Sequence, residues 1–191
     1  MGTIAVRRPL PPGTLTTLWN AEARLHGSYH AEFPGFHSTA DAGIIDADGY
    51  VFVMGRTDDV INVAGHRLST GGMEEVVALH PAVAECAVIG VADTVKGEVP
   101  CAFVVLKDGC VAGDVAVEVV RLVRDSIGAV AAPQRVIVVE RLPKTRSGKI
   151  LRATMKRIFD GQPYPFPATI EDAAALDEIA EAVARTRGAA P

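Results

Sequence analysis

The apolar positions of this chain change period near Arg56. Before it, "TIAVRR", "YHAEFPGFHSTADAG" and "GIIDADGYVFVMG" read as short strands separated by the breaker "PLPPG". Asp48-Gly49 supplies the tight turn of a hairpin in the last of these. Some fifty residues of this kind hold too few elements to enclose a core. Their sheet edges are therefore expected to pack on the rest of the chain or to belong to something larger.

After Arg56 strands and helices alternate. "VINVAGHRLS" reads as two strands around an Ala64-Gly65 turn. Ser69 or Thr70 then caps a helix with Glu74 and Glu75 in its first turn; Met73, Val76, Val77 and His80 line one face, and Pro81 ends it. "AECAVIGVA" and "PCAFVVLK" are strand-length apolar runs on either side of a polar loop at 93–98. Asp114 is placed to cap a second helix, where Val115, Val119, Leu122, Val123 and Ile127 keep the 3.6 period and Gly128 closes the end. "RVIVVE" is a third strand, and Leu151, Met155 and Ile158 mark a short helix. The linker "GQPYPFP" leads to a last helix beginning at Thr169 with Leu176, Ile179, Ala180 and Val183 as its apolar stripe. The pattern predicts an α+β chain: a β-rich piece at 1–57, a compact domain at 58–160 with a small sheet covered by helices, and a linker with a terminal helix at 161–191.

With 49% hydrophobic and 22% charged residues the chain reads as globular, and a net charge of -4 argues against nucleic acid as its partner. Seven of the 19 Lys and Arg lie between Arg141 and Arg157, a stretch without Asp or Glu. Any anion the chain meets is expected there, unless the stretch is only a solvated basic loop and helix face. Cys86, Cys101 and Cys110 form no CxxC and are an odd number, which fits free thiols in a reducing compartment, so the cytoplasm is expected. No apolar run approaches a membrane span and the start lacks a signal-peptide plan, so no membrane partner is expected. The five His have no metal-ligand spacing, and no metal site is expected.

Residues 143–150, "PKTRSGKI", depart from a phosphate-binding P-loop, which needs Gly where Pro143 stands and Ser or Thr where Ile150 stands. What remains is a Ser147-Gly148 pair that allows close backbone approach and Lys149, a point charge on a flexible stem that is either surface or site. "DADG" at 46–49 lacks the further ligands of a calcium loop and is better read as a turn. His66, with no nucleophile near it in sequence, is read as a loop or core histidine.

Five ordered blocks carry a resemblance: "STADAG", "GRTDDVINVAGHRLST", "EEVVALHPAVAECAVIGVAD", "KGEVPCAFVVLK" and "LPKTRSGKI". Together they look like the carboxyl-terminal third of the adenylate-forming acyl-CoA synthetases. The second block and the tail "YPFPATIEDAAALDEI" are most similar to short-chain ligases of the acetate and propionate type, with propionate preferred. The resemblance implies that a carboxylate attacks ATP to give an acyl-adenylate and pyrophosphate, after which the thiol of coenzyme A displaces AMP.

Lys149 matches the family's adenylation lysine, an ammonium on a mobile loop that stabilises charge at the α-phosphate. Asp41 matches the carboxylate that holds the ribose hydroxyls, with Ala40 where the family has Gly, and Arg56 matches an arginine that reaches the nucleotide. Asp58 matches the hinge of the small domain or, alternatively, caps the turn after it. Gly65, Arg67 and Arg124 match positions along the coenzyme A tunnel, although Arg124 is equally placed as a solvated residue beside Arg121 and Asp125. Magnesium is expected with ATP, with no ligands in this chain. The family's large amino-terminal domain, with its phosphate loop and acyl pocket, has no counterpart here. The resemblance thus makes this chain a mobile C-terminal lid preceded by a β-rich remnant, inactive alone: an excised piece, a truncated product or part of a split enzyme. Two rival roles stand beside catalysis: a non-catalytic module binding coenzyme A or a partner domain, and a substrate for enzymes that acylate and deacylate Lys149.

Overall fold

The computed structural model describes residues 2–188, leaving aside the side chain of Asp58 and the burial of Gly188. The chain packs as two compact units, one ending at Asp58 and the other beginning at Asp59.

In the first unit, β1 (Gly2–Arg7), β2 (Phe36–Ile45) and β3 (Val51–Arg56) form an antiparallel sheet in that order. The β2–β3 turn is closed by Asp46, whose Oδ1 accepts the backbone N–H of Asp48 at 3.0 Å and of Tyr50 at 2.9 Å, while Gly49 takes φ 87°. A helix, α1 (Glu22–Tyr29), lies between β1 and β2 in a stretch where the apolar pattern gave no helix. Its buried face is the single residue Leu25, too little to register as a period. Among the described residues of this unit, only Ser38, Ala42 and Gly43 are also buried. Ile44, Ile45 and every residue from Tyr50 to Met54 are exposed, so consecutive apolar side chains on both faces of β3 meet water.

The second unit is built on a five-stranded sheet. Its strands are β4 (Val60–Val63), β5 (His66–Ser69), β6 (Val83–Asp93), β7 (Gly97–Leu106) and β8 (Arg135–Val138). The order is β5-β4-β7-β6, with β8 parallel to β7 along residues 101–104. Helices α2 (Thr70–Ala78) and α3 (Val115–Ser126) contribute Met73, Val77, Val115, Val119 and Val123 to the core on one face. On the opposite face α4 (Arg152–Asp160) and α5 (Ala174–Gly188) contribute Met155, Phe159, Ile179, Ala182 and Val183. β7 alternates between the two, Cys101 and Phe103 pointing one way and Ala102 and Val104 the other. A strand covered on both sides has no polar face to show, hence the unbroken apolar runs in the sequence. Among the described residues β6 pairs with β7 alone. Two N–H groups of β6 are taken by carboxylates: Val88 by Glu74 Oε1 at 2.8 Å and Ala92 by Asp160 Oδ1 at 3.4 Å. Side chains thus occupy part of an edge that would otherwise invite another strand.

Several local expectations shift. Ser69, not Thr70, caps α2 by accepting the Gly72 N–H at 3.3 Å, and because the helix starts at Thr70, Glu74 and Glu75 fall beyond its first turn. Asp114 stands at the cap of α3 but its carboxylate accepts no capping hydrogen bond. α5 begins at Ala174 instead of Thr169 because residues 169–172 are already engaged. Ile170 bridges Thr145, Thr169 O accepts from Arg146 N, and Asp172 Oδ1 accepts from Ala174 N. Ala180 faces water, and Ala175 and Ala182 take the buried stripe. Cys101 is buried, Cys86 half-buried and Cys110 exposed. Burial pushes the Cys101 thiol up to about 12, and burial with the Glu74 charge pushes Cys86 up to about 11.

Arg141 ties α5 to the segment after β8: its Nη1 lies 2.6 Å from Asp172 and its Nε 3.0 Å from Glu178. The guanidinium holds the Glu178 carboxyl below its ordinary value. A depressed carboxylate stabilises the fold above its unfolded-state pKa and loses that contribution as pH falls through the folded value. Denaturant unfolding of the wild type should therefore weaken more steeply below about pH 4.3, the usual glutamate value, than that of Glu178→Gln. The apolar faces of β3 give a second expectation. The chain should self-associate with rising concentration, and Val53→Lys should reduce this in sedimentation velocity.

Candidate functional site

The basic stretch folds into a tight turn. Lys144 and Ile150 form an antiparallel bridge, and between them Thr145 organises the backbone. Its N–H donates to Lys149 O at 2.8 Å, its carbonyl accepts from Gly148 N at 2.8 Å, and its Oγ1 accepts from Lys149 N at 3.1 Å. Gly148 adopts φ 81°, a left-handed conformation that a Cβ would strain, which gives the Ser147-Gly148 pair its local reason.

The seven cations of this stretch divide into two groups. Arg141 pairs with Asp172 and Glu178, Lys144 with Glu85 at 2.7 Å, Arg152 with Glu74, and Lys156 with Glu98. Arg157 donates to Pro163 O at 3.0 Å. The remaining two, Arg146 and Lys149, are exposed and meet no carboxylate among the described residues. The composition alone marks the stretch as anion-seeking. The structure narrows that property to the tip of the turn. Arg146, which the sequence did not single out, shares the tip with Lys149.

Asp41 and Arg56 are brought together. They are direct partners across β2 and β3, and Arg56 Nη1 lies 3.6 Å from Asp41 Oδ1. The same guanidinium donates to Thr39 O at 3.2 Å. A bulge places Asp41 here: opposite β1, Ser38 pairs with Ala5 and Asp41 with Ile4, so residues 39 and 40 are extra. Ala40 takes φ 59° within that bulge, the left-handed region in which glycine is at ease and a methyl group is strained. Thr57 Oγ1 donates to Ala40 O at 3.2 Å and Thr39 Oγ1 accepts from Asp41 N at 3.2 Å, holding the distortion from both sides.

Gly65, at φ 88°, and Ala64, at φ 48°, form the β4–β5 turn. A Cβ on Gly65 would meet nothing within 4 Å, so within the described residues the demand for glycine is conformational. Arg67 on β5 and Arg124 on α3 are exposed, each without a carboxylate partner among the described residues, whereas Arg121 pairs with Asp125 at 3.6 Å. His66 is exposed on β5. Asp58 lies in the turn Thr57–Asp59, and its side chain is outside the described residues. No group of three or more His, Cys, Asp or Glu among the described residues is arranged to hold a metal ion. Among the described residues no helix is long and apolar enough to cross a membrane.

Residues 72–149 match the AMP-binding enzyme C-terminal domain. The fold superposes on acetoacetyl-CoA synthetase from Streptomyces lividans with a TM-score of 0.84 and 26% identity, covering 97% of this chain and 28% of that one. In sequence it is 57% identical over 190 residues to an uncharacterized protein of Pseudomonas aeruginosa, covering 98% of this chain and 30% of the relative. It is 48% identical to mouse mitochondrial acyl-CoA synthetase short-chain family member 3 (95% and 27%) and 46% identical to Escherichia coli propionate–CoA ligase (95% and 30%). Residues 72–149 thus belong to the AMP-binding enzyme C-terminal domain family, and the chain as a whole corresponds to a carboxyl-terminal portion of short-chain acyl-CoA synthetases. It spans less than a third of the length of these relatives.

Replacing Ala40 by Gly relieves the left-handed methyl group. Since glycine also loses more backbone entropy, the net stabilisation expected is modest, about 0.5–1 kcal/mol. Thermal unfolding of Ala40→Gly against wild type measures it.

Proposed function

We propose that this chain is the lid of a short-chain acyl-CoA ligase acting on a small carboxylate such as propionate or, failing that, acetate. The observation that carries the reading is the division of charge in residues 141–157: five cations are engaged and Arg146 and Lys149 are left at the turn tip. In the first step a carboxylate oxygen bonds to the α-phosphorus of ATP and pyrophosphate leaves with the electrons of the broken P–O bond. The Lys149 ammonium neutralises charge that crowds between the incoming carboxylate and the phosphoryl oxygens, more in the transition state than before it. In the second step the sulfur of coenzyme A bonds to the acyl carbon, the thiol proton passes to solvent, and AMP departs.

Asp41 accepts both ribose hydroxyls, for which its two oxygens suit, and Arg56, already beside it, reaches the nucleotide. Asp58, at the divide between the two units, serves as the hinge that turns the lid from one half-reaction to the other. Gly65, Arg67 and Arg124 line the path of coenzyme A, the two arginines meeting its phosphates. Phosphate binding, the acyl pocket and any magnesium ligands then fall to residues outside this chain, in a larger amino-terminal domain, and the assembled ligase works in the cytoplasm. Acylation of the exposed Lys149 by a modifying enzyme would cancel its charge, and removal of the acyl group would restore it.

The chain alone should show no ATP–pyrophosphate exchange with propionate or acetate. In the complete protein that carries it, exchange should appear, and Lys149→Ala should lower it by about 10²–10³-fold while thioester formation from supplied acyl-adenylate is largely spared. Equal loss in both half-reactions removes Lys149 from the role. Arg67 and Arg124, exposed and without carboxylate partners among the described residues, favour a second reading, a coenzyme A binding module without catalysis. Titration of the complete protein with coenzyme A, showing binding where no exchange occurs, would select it.

A further inference from the structure

The turn that carries Lys149 is gripped on both flanks by glutamates from elsewhere in the second unit. On its amino-terminal side Lys144 reaches Glu85 of β6 at 2.7 Å. On its carboxyl-terminal side Arg152, the first residue of α4 and three positions after Lys149, meets Glu74 of α2. The contact is a two-pronged one: Nε to Oε1 at 2.8 Å and Nη2 to Oε2 at 2.7 Å. The two grips differ in kind. Lys144 and Glu85 are 26% and 45% exposed, and such a pair contributes little. Arg152 and Glu74 are 21% and 15% exposed, their fork geometry is specific, and breaking one partner leaves the other charge poorly solvated.

Glu74 does more than pair. Its Oε1 also accepts the N–H of Val88 at 2.8 Å on the edge of β6, and its own carbonyl accepts from Cys86 Sγ at 3.4 Å. One carboxylate thus joins a helix, the sheet edge and the root of the lysine turn. The negative charge of Asp59, the first residue of the second unit, reinforces that of Glu74 in holding the guanidinium protonated. The turn itself has no buried apolar residue between Lys144 and Lys149. Packing holds its roots, where Leu142 and Pro143 are buried and Ile150 lies against the core, while within the turn hydrogen bonds and these two grips set its position.

We infer that Glu74 and Arg152 are positioning residues: their forked pair fixes the base of the turn to the sheet edge and so sets where the Lys149 ammonium is presented. Neither touches substrate in this assignment. It rests on the adenylation role proposed above, and it explains why cations three residues apart have opposite fates, one held inside the fold and one offered outward. It also makes the turn and the sheet edge parts of one body, so that a rotation at Asp58 would carry Lys149 without loss of aim.

Two variants test it. Glu74→Gln keeps an oxygen for the Val88 N–H but turns an amide toward Arg152; Arg152→Lys keeps the charge and loses the fork. In the 191-residue chain, amide exchange of Gly148 and Lys149 should rise about tenfold in Glu74→Gln while Phe103 in the core is unchanged. In the complete protein, Glu74→Gln should lower kcat for ATP–pyrophosphate exchange by about 10- to 100-fold with KM for the carboxylate little changed, thioester formation spared and Arg152→Lys intermediate. Unchanged exchange at residues 148–149, an exchange kcat equal to wild type, or equal loss in both half-reactions would each overturn the inference. A wild-type complete protein that fails to exchange ATP would instead overturn the proposed function, and the amide measurement would still decide whether the pair holds the turn.

Discussion

The second unit depends on covering β7 from both sides. Cys101, Ala102, Phe103 and Val104 are all fully buried although successive side chains point to opposite faces, so two separate helical layers are obligatory. That requirement fixes α2 and α3 on one face and α4 and α5 on the other. It also leaves no room for ionised groups inside the sandwich. Chemistry is pushed to the margins: the β4–β5 turn, the outer side of α3, and the turn between β8 and α4.

At those margins charge is sorted by engagement. The helix α4 begins with Arg152 and carries Lys156 and Arg157, each bound to an acceptor on another part of the unit. These contacts spend positive charge on architecture, and the two cations left over stand where the backbone is held by Thr145. Flexibility of the stem and rigidity of its base are compatible, because the lysine side chain has four rotatable carbons while the turn beneath it is closed by three hydrogen bonds. The first unit shows a related compromise. Its bulge brings Asp41 opposite Arg56 at the expense of a strained Ala40, a local conflict of the sort found where a side chain must be aimed.

The strands of the sandwich were legible because strict burial on two faces leaves uninterrupted runs such as "AECAVIGVA" and "PCAFVVLK". The β4–β5 and β2–β3 turns were legible for the opposite reason, since Ala64-Gly65 and Asp48-Gly49 announce positive φ locally. α1 escaped because a helix that buries only Leu25 has no period to read. The start of α5 was misplaced because the competitor for residues 169–172 is a turn more than twenty positions earlier. Glu74 and Arg152 are 78 residues apart in sequence, and nothing in either neighbourhood names the other. Lys149 was found through a motif; that its ammonium meets no carboxylate among the described residues, while Arg152 does, could only come from three dimensions.

The three thiols differ in a way that has practical weight. Cys101 and Cys86 are held protonated by their surroundings, and thiolate is the reactive form, so electrophiles will pass them over at neutral pH. Cys110 stands in the open loop after β7. A maleimide dye would thus settle on one place without any engineering, giving an optical handle on the second unit.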